Sequence, residues 1–221
     1  MNAQKTSINL RSGLSENCFE AALVCSDASI ALSVASNLIL NLKDDTRFII
    51  ITKNRNLTPS THYLALIQSG IIPQPQPAPP LPRVVALSYD WPDAPPGAEG
   101  KPDALLATLE SSFLDGYDWA VIDLSGIDEA LLPETMQACR DRVPADVAVL
   151  FLCPVAPVGC GPCLTLSEGV LTDGAQRYAV RPETVVLSPY RENGQPVAVD
   201  VHHLLPLESD GQIRFTPLPW V

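Results

Sequence analysis

Four unbroken apolar runs constrain this chain most: Ala21-Ala-Leu-Val-Cys25, Arg47-Phe-Ile-Ile-Ile-Thr52, Asp118-Trp-Ala-Val-Ile-Asp-Leu124 and Val147-Ala-Val-Leu-Phe-Leu152. Each is too short for a helix and lacks the alternation of a half-exposed strand, so each suits a strand buried on both faces. Helical spacing separates them. Ile30, Val34, Leu38 and Leu42 form one apolar stripe, and Leu105, Leu106, Leu109 and Phe113 form another within Pro102–Leu114. Ser125-Gly-Ile-Asp128 turns into a further helix that ends near Arg142. Arg83–Ser88 reads as the remaining strand. Strand–helix alternation of this kind predicts an α/β fold: a doubly wound, mostly parallel five-stranded sheet covered by helices on both sides.

The chain divides by composition. Residues 1–19 read as an N-terminal extension and 20–153 as a Rossmann-like α/β domain. Of its 22 prolines, those between Pro73 and Pro102 crowd into two loops, 71–82 and 90–100, separated by one strand. Pro-x-Pro spacing in the first favours polyproline II. A short helix, His62 to Ser69, is expected between Thr58-Pro-Ser60 and Gly70. Beyond Cys153, Gly and Pro recur among short strands at 184–187, 196–201 and 212–216. Residues 154–221 are therefore expected to form a cysteine loop and a small, loop-rich β appendage.

A formal charge of −11 argues against nucleic acid as a partner, because a phosphate backbone needs a cationic footprint. The longest apolar stretches are about seven residues, against the roughly 20 that cross a bilayer as a helix, so membrane insertion is not expected. The first twenty residues lack the layout of a secretory signal, which leads to a cytoplasmic expectation.

Ligands of doubly wound sheets sit outside the carboxyl ends of the strands. After the first strand the chain reads Cys25-Ser-Asp-Ala-Ser-Ile-Ala31. It holds no glycine to admit a phosphate, and Asp27 stands where a pyrophosphate would lie, so NAD is not expected. Ser26, Asp27 and Ser29, with Gly126 after the fourth strand, are the candidate cofactor contacts; a helix cap is the alternative use of Ser26 or Asp27. Asp123 at a strand end has the position of a metal-touching aspartate in nucleotide-hydrolysing proteins, or of a cap on the next turn. Cys153, Cys160 and Cys163 form a cluster in which Cys-x-x-Cys suits one tetrahedral iron or zinc, a redox pair, or plain packing. His202 and His203 are adjacent in a strand pattern, fall on opposite faces, and make poor joint ligands. No Ser/His/Asp order or close carboxylate pair marks a catalytic set.

Trp119–Leu124, the turn Ser125-Gly126, the strand ending at Leu152, Val158-Gly-Cys-Gly-Pro-Cys-Leu164, Asp173-Gly174 and Tyr178–Val185 follow one another within a similarity of about residues 20–187. In that order they resemble the NAD-binding and iron–sulfur half of the electron-transfer subunit of dihydroorotate dehydrogenase, in the ferredoxin-reductase-like family. The resemblance implies a [2Fe–2S] loop, with Cys160 and Cys163 at the second and third ligand positions. Val155 stands at the first ligand position, Cys153 two residues ahead of it, and Ala179 or Val180 near the fourth. The family's flavin-binding barrel has no counterpart before the first strand. The implied function is a degenerate, reductase-like accessory subunit without independent catalysis, an iron–sulfur electron carrier where a cluster is held, in complex with an oxidoreductase or another protein partner. A different class of reading takes Pro73–Pro82, Trp91 and the terminal Leu218-Pro-Trp-Val221 as binding elements of a non-enzymatic interaction or scaffold module.

Overall fold

The computed structural model describes residues 20–40, 48–53, 86–90, 96–109, 114–159, 163–173, 176–192 and 194–207. The expectations for the N-terminal extension, the helix at 62–69, the proline tract 71–82, Trp91, Cys160, the strand at 212–216 and the C-terminal tail lie outside these residues.

The fold is mixed α/β. Five strands run parallel: β1 (Glu20–Val24), β2 (Phe48–Thr52), β3 (Ala86–Asp90), β4 (Trp119–Asp123) and β5 (Ala148–Cys153). Helices α1 (Ala28–Leu40), α2 (Asp103–Leu109) and α3 (Leu132–Arg140, entered through a 3-10 turn) lie between them. The sheet continues through β6 (Cys163–Ser167), parallel to β1, and then turns antiparallel in β7 (Val170–Asp173), β8 (Gln176–Glu192) and β9 (Gln195–Pro206). Its order is β3-β2-β4-β5-β1-β6-β7-β8-β9.

Alternation along the buried strands sorts side chains onto two faces. Ala21, Leu23, Phe48, Ile50, Trp119, Val121, Leu150 and Leu152 pack with α1. Ala22, Ile49, Ile51, Ala120, Ile122, Val149 and Phe151 pack with α2 and α3. The winding direction accounts for this split. From β1 to β2 the chain moves toward the β3 edge; from β3 to β4 to β5 it moves back. Right-handed crossovers therefore place α1 on one face and α2 and α3 on the other. Phe48, Trp119 and Phe151 are fully buried, and each large side chain of this kind contributes about 1.5–3 kcal/mol.

Three expectations are corrected. The parallel set has six strands, because Cys163 opens β6 where a loop was expected. The strand expected to end at Ser88 runs on to Asp90, its described residues being Ala86–Asp90. The short strands expected at 184–187 and 196–201 are parts of long ones joined to the main sheet: β8 spans 17 residues and β9 spans 12. Prolines suggested the short strands, and their placement explains how the long ones survive. Pro196 and Pro206 stand near or at the ends of β9, and Pro189 falls in the register shift between Leu187 and Arg191. Pro182 lies past the last residue of β8 that pairs with β7, so its missing N–H breaks no ladder there.

The strand order also differs from the one usual in dinucleotide-binding sheets. Dinucleotide-binding sheets of the ordinary kind run 3-2-1-4-5-6, with the first strand beside the second. Here β1 lies between β5 and β6, and β4 and β5 separate it from β2.

Candidate functional site

The carboxyl ends of β1 and β5 form the crevice where a ligand of such a sheet would sit, because the chain leaves them toward opposite faces. After β1 it enters α1, whereas after β5 it crosses β1 to reach β6, with Val155 packed on the α2/α3 side. The two ends are tied by the Cys25 N–H, which donates to the Cys153 carbonyl at 2.9 Å.

The turn after β1 is closed on itself. Asp27 is the cap of α1: its Oδ1 accepts from the Ser29 N–H at 2.9 Å and from the Ile30 N–H at 3.1 Å. Its carbonyl takes the first helical bond, from the Ala31 N–H at 2.9 Å. The free amides at a helix N-terminus are what would bind an anion, and here two of them are engaged by the chain's own carboxylate. Ser26, Asp27 and Ser29 share this turn, close to solvent. Gly126 does not join them; it comes after β4, and β5 intervenes between that strand and β1.

A second polar arrangement sits at the ends of β2 and β4. The buried Thr52 hydroxyl donates to Asp123 Oδ2 at 2.6 Å, and the Ser125 N–H donates to Asp123 Oδ1 at 3.0 Å. Asp123 is thus the cap on the next turn that its position suggested. Thr52 was not recognisable as its partner, because β2 and β4 are adjacent in the sheet but not in sequence. Near it, the loop before α2 docks on the turn before α3: the Asp128 N–H donates to the Gly100 carbonyl at 2.9 Å, and Gly100 pairs with Ile127.

The cysteines are placed apart. Cys153 is level with Val24 on one side of β1, and Cys163 is level with Ala22 on the other. Two strand spacings and a two-residue offset separate their Cα atoms by about 11–12 Å. Thiolates sharing one tetrahedral ion lie within about 4 Å of each other. Cys153 and Cys163 do not meet that condition, and Cys160 is outside the described residues. Among the described residues no group of three His, Cys, Asp or Glu side chains could hold a metal ion. Burial pushes the Cys25 thiol up from its ordinary pKa, only partly offset by its bond to the Asp27 carbonyl. Cys139, enclosed under α3, is pushed up to about 12 by burial, against a smaller lowering by Arg142. Neither is a poised thiolate.

The β8–β9 hairpin returns over α1. His202 Nδ1 lies 2.9 Å from the buried Ser33 Oγ, which fastens β9 to the helix that Asp27 caps. Sequence alternation placed His202 on one strand face but carried no signal for Ser33.

No protein-family model matches the chain, and neither does any curated protein. Among the described residues no helix is long and apolar enough to cross a membrane.

Proposed function

We propose that this chain is a non-enzymatic interaction or scaffold module, built on a sheet of the nucleotide-binding kind whose anion position is filled from within. The observation that carries this reading is the Asp27 carboxylate on the Ser29 and Ile30 amides. A bound phosphate would have to displace a tethered anion and then lie beside it, with no glycine in Cys25–Ala31 to let the backbone approach. The buried Asp123 carboxylate is turned toward Thr52 and Ser125, which fits a structural tie better than a metal site. The partner is a protein, a subunit of an oxidoreductase or of another complex. The electron-carrier reading fares worse, because Cys153 is too far from Cys163 to complete its ligand set.

Calorimetric titration of the full chain with magnesium–ATP, NADH and inorganic phosphate tests the proposal. The expected result is no saturable binding of any of them. Saturable binding of a nucleotide at micromolar concentrations, abolished by substitutions at Ser26 or Ser29, would overturn it.

A further inference from the structure

The β1–β5 part of the sheet packs side chains into a core on each face, whereas on β6, β7 and β8 the two faces differ. Leu164, Leu171, Tyr178 and Val180 join the core on the α1 side, with Leu166 packed against it. Their neighbours in sequence turn the other way. Of those, only Cys163 touches the core under α2 and α3. Beyond it Thr165, Ser167, Arg177 and Arg181 are exposed.

Two cross-strand rows cover this outer face. Thr165 pairs with Thr172 and Thr172 with Arg177; Ser167 pairs with Val170 and Val170 with Ala179. Val170 is half-buried and Ala179 is buried, although Ala179 belongs to neither core. A small apolar centre therefore lies among hydroxyls. Arg177 and Arg181 stand two residues to either side of Ala179 on β8, their Cα atoms about 13 Å apart. Neither guanidinium has an ion-pair or hydrogen-bond partner among the described residues, the exposed Glu168 of the β6–β7 turn included. Arg140 and Arg142, by contrast, bond to main-chain carbonyls within and after α3.

An apolar centre with a polar surround is the anatomy of a protein-binding patch, and such patches favour arginine over lysine. We infer that this face receives an extended acidic segment of a protein partner, with one carboxylate on Arg177 and another on Arg181. Each arginine presents a planar fork that holds a carboxylate by two hydrogen bonds. A span of about 13 Å is that of residues four apart in an extended chain, in which alternate side chains face the sheet and a small one falls over Ala179. Two guanidiniums on a chain of net charge −11 are too few to follow a phosphate backbone, so protein carboxylates are the anions that fit. The same negative charge repels an acidic segment from the rest of the chain, which fixes where it lands. The inference rests on the protein-binding reading above and adds the face and the chemistry of the partner.

Fluorescence anisotropy of the full chain with a fluorescein-labelled peptide carrying Glu-Ser-Ala-Ser-Glu between glycines is expected to give saturable binding, with a dissociation constant below about 1 mM. Arg177→Glu and Arg181→Glu are each expected to weaken it at least about tenfold, with unchanged circular dichroism because both side chains are exposed. Lys101→Glu makes the same change in net charge at an exposed position near the end of β4, several strands from β8, and is expected to stay within about twofold of wild type. Equal loss in all three variants, or no binding by the wild type, would overturn the inference. So would tighter binding of a single-stranded oligonucleotide than of the peptide. A wild-type dimer that Arg177→Glu dissociates would put a second copy on this face and overturn it too. A chain that binds neither peptide nor nucleotide loses this inference alone, whereas nucleotide binding in the calorimetric titration strikes the reading beneath it.

Discussion

Thr52 and Asp123 end two neighbouring parallel strands, and the hydroxyl of the first donates to the carboxylate of the second at 2.6 Å in a site closed to solvent. Asp123 Oδ1 is satisfied separately by the Ser125 N–H. A buried carboxylate oxygen that loses its donor bears a desolvation cost of about 1–3 kcal/mol, whereas the hydroxyl itself adds little shape. Thr52→Val is therefore expected to destabilise the fold by about that much. Urea denaturation with an unchanged slope is the check; a variant within error of wild type would mean that water reaches Asp123.

Gly100 faces a stricter requirement. Its φ is +78°, and a Cβ built there would run into the Asp128 carboxyl group. The loop it closes is held by the Asp128 N–H and by the pairing with Ile127. Gly100→Ala must move Asp128 and accept a left-handed backbone, at about 1–3 kcal/mol. Gly97 has a similar φ, +85°, but nothing within 4 Å of its Cβ position. Gly97→Ala is expected to cost clearly less, and thermal melts of the pair separate strain from collision.

The sequence shows strands where burial on both faces writes a continuous apolar block, as in Phe48–Thr52 and Ala148–Cys153, because the pattern is local. It does not show which blocks lie side by side. Parallel neighbours are joined through distant crossovers, so nothing near Ala22 announces that Cys163 and Phe151 flank it. The same gap hid Thr52 from Asp123 and Ser33 from His202. Asp27 was legible as a cap, since its oxygen reaches amides two and three residues on. The long hairpin was not, because Pro182, Pro189 and Pro196 signal interruption unless the end of the β7 pairing and the register shift are known.

Thiol exposure predicts a labelling order. Cys139 and Cys153 are almost wholly enclosed, and the Cys139 thiol is pushed up to about 12 by burial. Cys163 is half-buried at the start of β6. Brief alkylation of the native chain, with peptide mapping afterwards, is expected to modify Cys163 and to spare Cys139 and Cys153 until denaturant is added. Rapid native modification of Cys139 would contradict the packing of α3.

Burial also raises the pKa of Glu20 above its ordinary 4.5, with Arg140 acting in the opposite direction. A carboxyl group of this kind binds its proton more tightly when folded. Its stabilising contribution is complete below the unfolded pKa and is lost as pH rises through the folded pKa. Glu20→Gln is thus expected to raise the melting temperature slightly at about pH 7 and to change it little well below the ordinary carboxylate pKa, where the wild-type group is also neutral. An equal shift at both values would assign the effect to packing.

Thr135 supplies the clearest opportunity for stabilisation. It is 1% exposed within α3, and its Oγ1 finds no hydrogen-bond partner among the described residues. The hydroxyl was desolvated on folding without compensation, which costs about 1–3 kcal/mol by protein mutational measures. Thr135→Val keeps the branched outline and removes the polar atom. Valine and threonine have similar helix propensities, so the backbone term is nearly constant. The expected outcome is a gain of about 1 kcal/mol in calorimetric melts, with Thr135→Ala gaining less because it also opens a small cavity. Should Thr135→Val lose stability, the hydroxyl must have a partner in solution, and α3 would then sit differently against β4 and β5.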